Sequence, residues 1–321
     1  MVQAAVGRDM TPAMKRIDLK IAFGCNNMCL FCVQGGKRKK YLPKSPVMLR
    51  RELERGFSEG GRELVLTGGE PTLHADFLCV IRDAKKTGYQ NIQIQSNGRM
   101  FRYLDFCRAA AEAGATEASP ALHGSRAEIH DFLTGSSGAF RETVAGIVNL
   151  KKSGFRVVTN TVIIKPNTQD LPSIARLLAA LGVDQFQFAF VHILGSAAAN
   201  AKWLIPKKTV IEPYVKRGLD EGAAAGLRVM TEAIPYCFMS GYEQFVAERI
   251  IPETKIFDAE SVIEDFGRYR VNEGKRKGVR CRSCLFFKKC EGPWREYPEL
   301  FGWGEFVPRE KNWRRSVRGG R

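Results

Sequence analysis

The stretch Cys25-Asn26-Asn27-Met28-Cys29-Leu30-Phe31-Cys32 brings three cysteines together in one short segment. The spacing, three residues and then two, lets a single loop point three thiolates at a common centre. Thiolates are the usual ligands of iron–sulfur clusters, and three of them leave one iron of a four-iron cluster open to another ligand. A structural zinc site normally has four protein ligands in Cys-x2–4-Cys pairs, so zinc or a purely structural role is the weaker interpretation.

The residues before this loop alternate in polarity, which predicts a strand over residues 16–23. Five more strands are predicted at residues 63–67, 91–96, 116–122, 155–164 and 184–191. Helices are predicted between them, at about 46–60, 76–87, 103–113, up to about 153, and 172–181. Strands that alternate with helices indicate a parallel sheet with right-handed crossovers. No GxGxxG motif follows the first strand, which disfavours a dinucleotide-binding fold.

Most of these strands carry one polar and one apolar face. The polar positions are Asp18, Lys20, Gln93, Gln95, Glu117, Ser119, Gln185 and Gln187, and the apolar ones include Ile92, Ile94, Phe186, Phe188 and Phe190. A fully closed eight-stranded barrel fills its interior with branched apolar residues. We therefore predict an α/β fold: a partial (β/α)6 TIM-type barrel with a polar, incompletely filled interior and a small C-terminal region. The fifth strand has two mixed faces, and the pattern does not orient it.

The cysteine stretch resembles, at every position, the cluster motif of the radical S-adenosylmethionine (radical SAM) superfamily. The resemblance implies that Cys25, Cys29 and Cys32 hold a 4Fe–4S cluster whose open iron binds SAM. It further implies that Gly68, Gly69 and Glu70 bind the methionine amino group and that Phe31 contacts the adenine. Further contacts to SAM or to substrate are implied at Ser96, Asn97, Ser119, Asn160 and Val191, where satisfied structural polar groups or packing are the alternative.

The same resemblance implies the reaction. SAM is reductively cleaved to a 5′-deoxyadenosyl radical, which abstracts a hydrogen from a substrate that we expect to be a peptide or a cofactor precursor. Such an oxidoreductase or maturase needs a low-potential electron donor of the flavodoxin or ferredoxin type.

A second cysteine group, Cys281-x2-Cys284-x5-Cys290, lies near the end of the chain. It resembles part of the auxiliary-cluster pattern of SPASM and Twitch domains, although Trp294 stands where the longer pattern has another cysteine. We expect one auxiliary 4Fe–4S cluster, with Cys237 as its fourth ligand; otherwise one iron stays open for substrate. Zinc remains the rival metal, because four thiolates also suit it. The predicted domains are a core at residues 1–204 and an auxiliary region at 205–321.

The formal net charge of +16 leaves two other functions open. The basic residues concentrate in segments such as Lys37–Lys40, Arg268–Arg282 and Arg314–Arg321, which suggests an RNA-modifying radical SAM enzyme or a zinc-bearing nucleic-acid-binding protein. A solvated basic surface explains the same charge.

Several smaller expectations follow. Residues 1–14 lack the pattern of a secretory leader and no apolar run approaches membrane-spanning length, so we expect a cytoplasmic protein without a membrane partner. Cys79 and Cys107 are expected to be buried in helices. His123 and His192 follow strand ends; they either titrate near neutrality or position substrate, or are satisfied loop histidines. His74 and His130 receive no role.

Overall fold

The computed structural model describes residues 15–310. The strands are β1 Lys15–Ala22, β2 Gly61–Gly68, β3 Asn91–Ser96, β4 Glu117–Pro120, β5 Arg156–Ile163, β6 Gln185–Phe190, β7 Arg228–Glu232, β8 Thr254–Phe257 and β9 Val262–Ile263. The helices are α1 Pro46–Ser58, α2 Phe77–Thr87, α3 Leu104–Ala113, α4 Ala127–Thr134, α5 Ala139–Lys152, α6 Leu171–Ala180, α7 Ser196–Ala199, α8 Ala201–Leu204, α9 Lys208–Ala224, α10 Phe266–Tyr269 and α11 Glu296–Phe301. The basic segment Arg314–Arg321 lies outside the described residues.

The strands form one open sheet in the order β7-β6-β5-β4-β3-β2-β1-β8-β9. All neighbours are parallel except β8 and β9. The six predicted strands and their parallel arrangement are confirmed. The sheet is longer than predicted, because β7 extends it beyond β6, and β8 and β9 extend it beyond β1. These three strands have only two to five residues each, too few for a clear alternation.

The predicted polar interior is present. Strand partners in register point to the same side, so Gln93 of β3 lies beside Glu117 of β4 and donates a hydrogen bond to it. Gln95, in the middle of the sheet, is exposed, which shows that the interior is open to solvent. The structure also orients β5: Asn160 lies in register with the inward Gln187, and Thr161 lies in register with the outward Phe188.

Helix boundaries follow the expected capping chemistry. Ser45 accepts a hydrogen bond from the Met48 amide and caps α1, which opens with Pro46. Gly88 ends α2 in the left-handed conformation that glycine adopts without strain. The prediction for Cys79 is wrong, because α2 buries Phe77, Val80, Ile81 and Ala84 and turns Cys79 to the exposed face; Cys107 is buried as expected.

Among residues 15–310, no helix combines the length and the apolar character that crossing a bilayer requires.

Candidate functional site

The loop with the first three cysteines follows β1 and is fixed by backbone hydrogen bonds from two sides. The amides of Met28 and Leu30 donate to the carbonyls of Thr134 and Leu133 at the end of α4, at 2.7 and 3.0 Å. On the other side, the amide of Ser196 donates to the Cys32 carbonyl at 2.9 Å. The loop is therefore held on the scaffold by backbone bonds that do not involve the thiols.

The three thiols lie close enough to affect one another. Burial raises the pKa of Cys29 to about 12, and the neighbouring Cys32 and Cys25 contribute to this shift. Burial also raises the pKa of Cys25, while the Arg38 guanidinium opposes both shifts. Three thiolates packed together in a partly buried loop repel one another unless a cation binds them. The donor set therefore fits a cationic iron–sulfur centre.

Gly68 and Gly69 bring the end of β2 against the cysteine loop. Gly68 has a φ of +128°, and a Cβ atom there would lie 2.0 Å from the Ala22 carbonyl oxygen. A Cβ on Gly69 would lie 2.2 Å from the Gly24 carbonyl oxygen. Both glycines are thus required by close contact between two backbone segments, a reason that the sequence did not reveal.

We expect Gly69→Ala to displace the cysteine loop, because the added methyl group meets backbone atoms that cannot rotate away. The free energy of unfolding should fall by about 3 kcal/mol, as for an overpacked site, together with the iron content after reconstitution. Gly36→Ala, in the segment that follows the three cysteines, is the control, since a Cβ atom added there would meet nothing within 4 Å. Chemical denaturation and iron analysis measure both effects; equal stability of the two variants would contradict the packing argument.

Glu70 is fully buried and joins two loops through hydrogen bonds. Its carboxylate accepts hydrogen bonds from the Thr72 hydroxyl at 2.6 Å, the Ser96 hydroxyl at 2.8 Å and the Asn97 amide at 2.7 Å. Burial raises the pKa of Glu70, and these hydrogen bonds oppose the increase. The carboxylate thus positions the ends of β2 and β3 through protein groups.

The role of Arg99 could not be predicted, because nothing in the sequence distinguishes this residue from the other basic residues. Its guanidinium donates to the Asn26 carbonyl at 2.6 Å, to the Asn27 side chain at 2.8 Å and to Ser136 at 2.9 Å. Asn97 also donates to the Asn26 side chain, at 2.6 Å. Arg99 and Asn97 therefore hold the first turn of the cysteine loop in place.

The remaining predicted SAM contacts lie on the inner face or at the strand ends. Phe31 is buried with its ring edge-on to His123, with the ring centroids 4.7 Å apart. Ser119 and Val191 are buried as well. The Asn160 side-chain oxygen is buried, and no donor among the described residues reaches it. Asn160 thus presents an unsatisfied acceptor toward the interior, as a ligand-binding residue would.

The two candidate histidines differ from expectation. Burial lowers the pKa of His123 well below its usual value, and His130 lowers it further. Burial and then Lys275 lower the pKa of His192 to about 4. Titration near neutrality is therefore wrong for both. His192 instead stacks on Trp294, with the ring centroids 3.8 Å apart and the planes 8° from parallel.

The second cysteine group lies around one small cavity. Cys237, Cys281, Cys284 and Cys290 all line it, beside apolar neighbours that include Phe287. Burial raises the pKa of Cys237 to about 12, and the other three thiols add to the shift. The structure thus brings together four thiols that are distant in sequence, a donor set that suits an iron–sulfur cluster or zinc. Among the described residues, no three or more His, Cys, Asp or Glu side chains are placed around one point as a single metal ion requires, whereas the thiolates of a 4Fe–4S cluster bind four different iron atoms.

A buried charge network adjoins the loop that carries Cys290. The Lys275 ammonium donates to Glu248 at 2.7 Å and to Glu291 at 2.8 Å, while Arg270 binds Glu291 through two hydrogen bonds. Burial alone would lower the pKa of Lys275, but the two carboxylates reverse the effect and raise it. Glu291 follows Cys290 directly, so the network braces the cysteine loop.

We expect Lys275→Ala to destabilise the region by about 3 kcal/mol, because it leaves the Glu248 carboxylate buried without its cation. Lys288→Ala removes an exposed lysine from the neighbouring loop and should change the free energy of unfolding by less than about 0.5 kcal/mol. Denaturant titration of both variants tests the difference. A Lys275→Ala protein as stable as the control would show that the network contributes no net stability.

Glu232, at the end of β7, connects the network to the barrel interior. Gln187 of β6 donates to its carboxylate at 2.6 Å. Burial raises the pKa of Glu232, and the Glu248 carboxylate adds to the increase. β7 is too short to show an alternating pattern, so the inward orientation of Glu232 could not be predicted from the sequence. Its carboxyl group can hold a proton.

Comparisons with known proteins agree with this geometry. The profile described as the Radical SAM superfamily matches residues 19–178. GTP 3′,8-cyclase of Aquifex aeolicus is 32% identical over 176 residues, which cover 53% of this chain and 54% of the relative. The chain therefore spans about half the length of such curated relatives.

Two solved structures resemble the fold at about 15% identity. SuiB of Streptococcus suis bound to the precursor peptide SuiA has a TM-score of 0.65 over 89% of this chain and 72% of its own. The enzyme anSMEcpe with bound AdoMet and the Cp18Cys peptide has a TM-score of 0.63 over 95% of this chain and 94% of its own.

Proposed function

The chain belongs to the radical SAM superfamily through residues 19–178, and from that premise we propose that it generates a 5′-deoxyadenosyl radical and oxidises a peptide or a cofactor precursor. One auxiliary 4Fe–4S cluster takes part in the reaction. The observation that carries this proposal is that one scaffold holds two clusters of cysteines. Three cysteines follow β1, and four line a cavity beyond the end of β7.

In this proposal, Cys25, Cys29 and Cys32 hold the first cluster, and the side chains around them hold their loop. When bound, the cluster and SAM supply the reductive cleavage that yields methionine and the radical. Arg99 and Asn97 keep the loop in position through Asn26, and Glu70 keeps the two adjoining strand ends in register. Asn160 offers its free acceptor to SAM or to the substrate.

The second group, Cys237, Cys281, Cys284 and Cys290, holds the auxiliary cluster. Four thiol ligands fill the coordination of a 4Fe–4S cluster, so we propose that it carries electrons and does not bind substrate directly. Glu232 lies beside the inward Gln187, where we propose that its carboxylate accepts the proton that a substrate loses on oxidation.

Two classes of substrate agree with the relatives. The sequence relative named above is a GTP cyclase, whereas the two structural neighbours contain peptides. The polar inner face, with Gln95 exposed, offers hydrogen-bonding groups to either class. Because the chain belongs to an enzyme family, the alternative that it is a zinc-bearing nucleic-acid-binding protein has no support. RNA modification rests on the net charge alone.

The experiment is an anaerobic assay of the purified, iron-reconstituted chain with SAM and dithionite, in which 5′-deoxyadenosine is measured. We expect formation in the absence of substrate and stimulation by fractions of an anaerobic lysate. Loss of the stimulation after protease treatment assigns a peptide, and survival assigns a small precursor. Stimulation that is lost only after RNase treatment would contradict both. No 5′-deoxyadenosine from fully loaded protein would refute the proposed function.

A further inference from the structure

Three large apolar side chains lie exposed around the outer side of the first cysteine loop. Met28 is 66% exposed, Phe132 55% and Trp203 43%. The rings of Phe132 and Trp203 lie 6.4 Å apart, and Met28 bonds through its amide to Thr134, two residues beyond Phe132. We name Met28, Phe132 and Trp203 the loop patch. Contiguous exposed apolar groups on a folded protein mark interaction surfaces.

The loop patch is connected directly to the cysteine ligands. Met28 immediately precedes Cys29. On the other side, Asn200 donates to the Leu30 carbonyl at 2.9 Å and accepts a hydrogen bond from the Trp203 indole at 3.3 Å. A protein bound on the patch would therefore be separated from the thiol of Cys29 by little more than the loop itself.

Two cations lie at the patch, and the exposed Glu128, one turn before Phe132 in α4, is paired with Arg126 at 3.8 Å. The Arg38 guanidinium contacts the Met28 sulfur at 2.9 Å, and Lys202 is exposed beside Trp203. Asp131, next to Phe132, uses both carboxylate oxygens to accept the amides of Gly138 and Phe140 at 2.7 Å. The patch thus combines apolar contact with a net positive rim, on a chain whose formal net charge is +16.

We propose that the loop patch is the docking surface for a small acidic electron-transfer protein that reduces the cluster. The inference rests on the proposed function, because that function requires an electron from outside the chain. One electron leaves the donor's low-potential centre, which is oxidised, and enters the cluster, which is reduced; no bond forms or breaks. Opposite charges accelerate the encounter, and the exposed aromatic rings supply the contact area.

The test compares two reductants on the same variant. Phe132→Glu with Trp203→Glu places two negative charges on the patch, and neither residue is a proposed cluster ligand or a predicted SAM contact. With reduced flavodoxin, regenerated by its reductase and NADPH, the initial rate of 5′-deoxyadenosine formation should fall by about tenfold or more. With dithionite, which needs no docking surface, the rate should stay within about twofold of the unaltered chain. High salt should slow only the flavodoxin reaction.

Leu300→Glu is the matched control, since Leu300 is 43% exposed like Trp203 but lies in α11. It should change neither rate. Lys202→Glu, which leaves the rings intact, serves as the second variant if the double variant loads less iron; its flavodoxin rate should also fall.

Three results would overturn the proposal. The first is an unchanged rate of 5′-deoxyadenosine formation with flavodoxin in both variants. The second is an equal loss of that rate with both reductants in iron-replete protein. The third is dissociation of a homodimer in the double variant, which would assign the patch to a second copy of this chain. The proposed function fails separately, if the unaltered chain forms no 5′-deoxyadenosine with dithionite.

Discussion

Replacing Cys29 by alanine should reduce 5′-deoxyadenosine formation by more than about 100-fold, since loss of even a supporting residue around a metal ligand costs about 10- to 100-fold. Cys29 is the middle cysteine of the trio, and its pKa is raised by burial and by both neighbouring thiols. The Cys29 thiolate is therefore disfavoured relative to the thiol unless a metal centre binds it. The proposed cluster, in turn, would be bound weakly without this thiolate. The assay uses dithionite, so that electron-donor docking does not limit the rate.

Cys79→Ala is the control for this prediction, because Cys79 is an exposed cysteine on the outer face of α2. It should keep full activity and iron content. Iron analysis shows whether the Cys29→Ala protein loses the first centre. If that protein is replete in iron and fully active, the assignment of the trio is wrong.

Replacing Cys281 and Cys284 together by alanine should lower the iron content of the reconstituted chain from about eight atoms to about four, because one of two 4Fe–4S clusters is lost. Both residues line the cavity that Cys237 and Cys290 complete. The first cluster should remain, and 5′-deoxyadenosine should still form in the presence of dithionite. Product formation should be lost, since the substrate radical then lacks its electron acceptor.

The same variant separates iron from zinc at this cavity. If zinc occupies it, the unaltered chain holds about four irons and one zinc, and the double variant loses only the zinc. Cys237→Ala gives a second result: a cluster with three remaining thiolates gains an open iron, and its electron paramagnetic resonance (EPR) spectrum should then respond to added imidazole. Cys107→Ala, a buried cysteine in α3, is the control.

Local sequence patterns predicted most of the barrel correctly. The two-residue alternation in β1 and β3 and the glycines that end α2 and α3 are short-range signals. The cysteine loop was equally local. Cys79 was predicted wrongly because its helix was identified without asking which face is buried; the spacing of Phe77, Val80, Ile81 and Ala84 contained that answer.

The supporting contacts of the site could not be predicted, because they join residues far apart in the chain. Arg99 holds a loop more than 70 positions earlier, and Lys275 binds Glu248 across 27 positions. The glycines at 68 and 69 were expected to approach a ligand, and the structure adds a second reason for them, their contact with the backbone of residues 22–24. Such pairings arise from the tertiary fold and leave no periodic signal in the sequence.

The central claim is that the trio of thiols after β1 binds a cluster with one iron open to SAM. The most direct measurement is the EPR spectrum of dithionite-reduced protein in which Cys237, Cys281, Cys284 and Cys290 are all alanine, recorded with and without SAM. The claim predicts a single 4Fe–4S signal whose g values change when SAM is added. A signal from fully loaded protein that SAM leaves unchanged would contradict it.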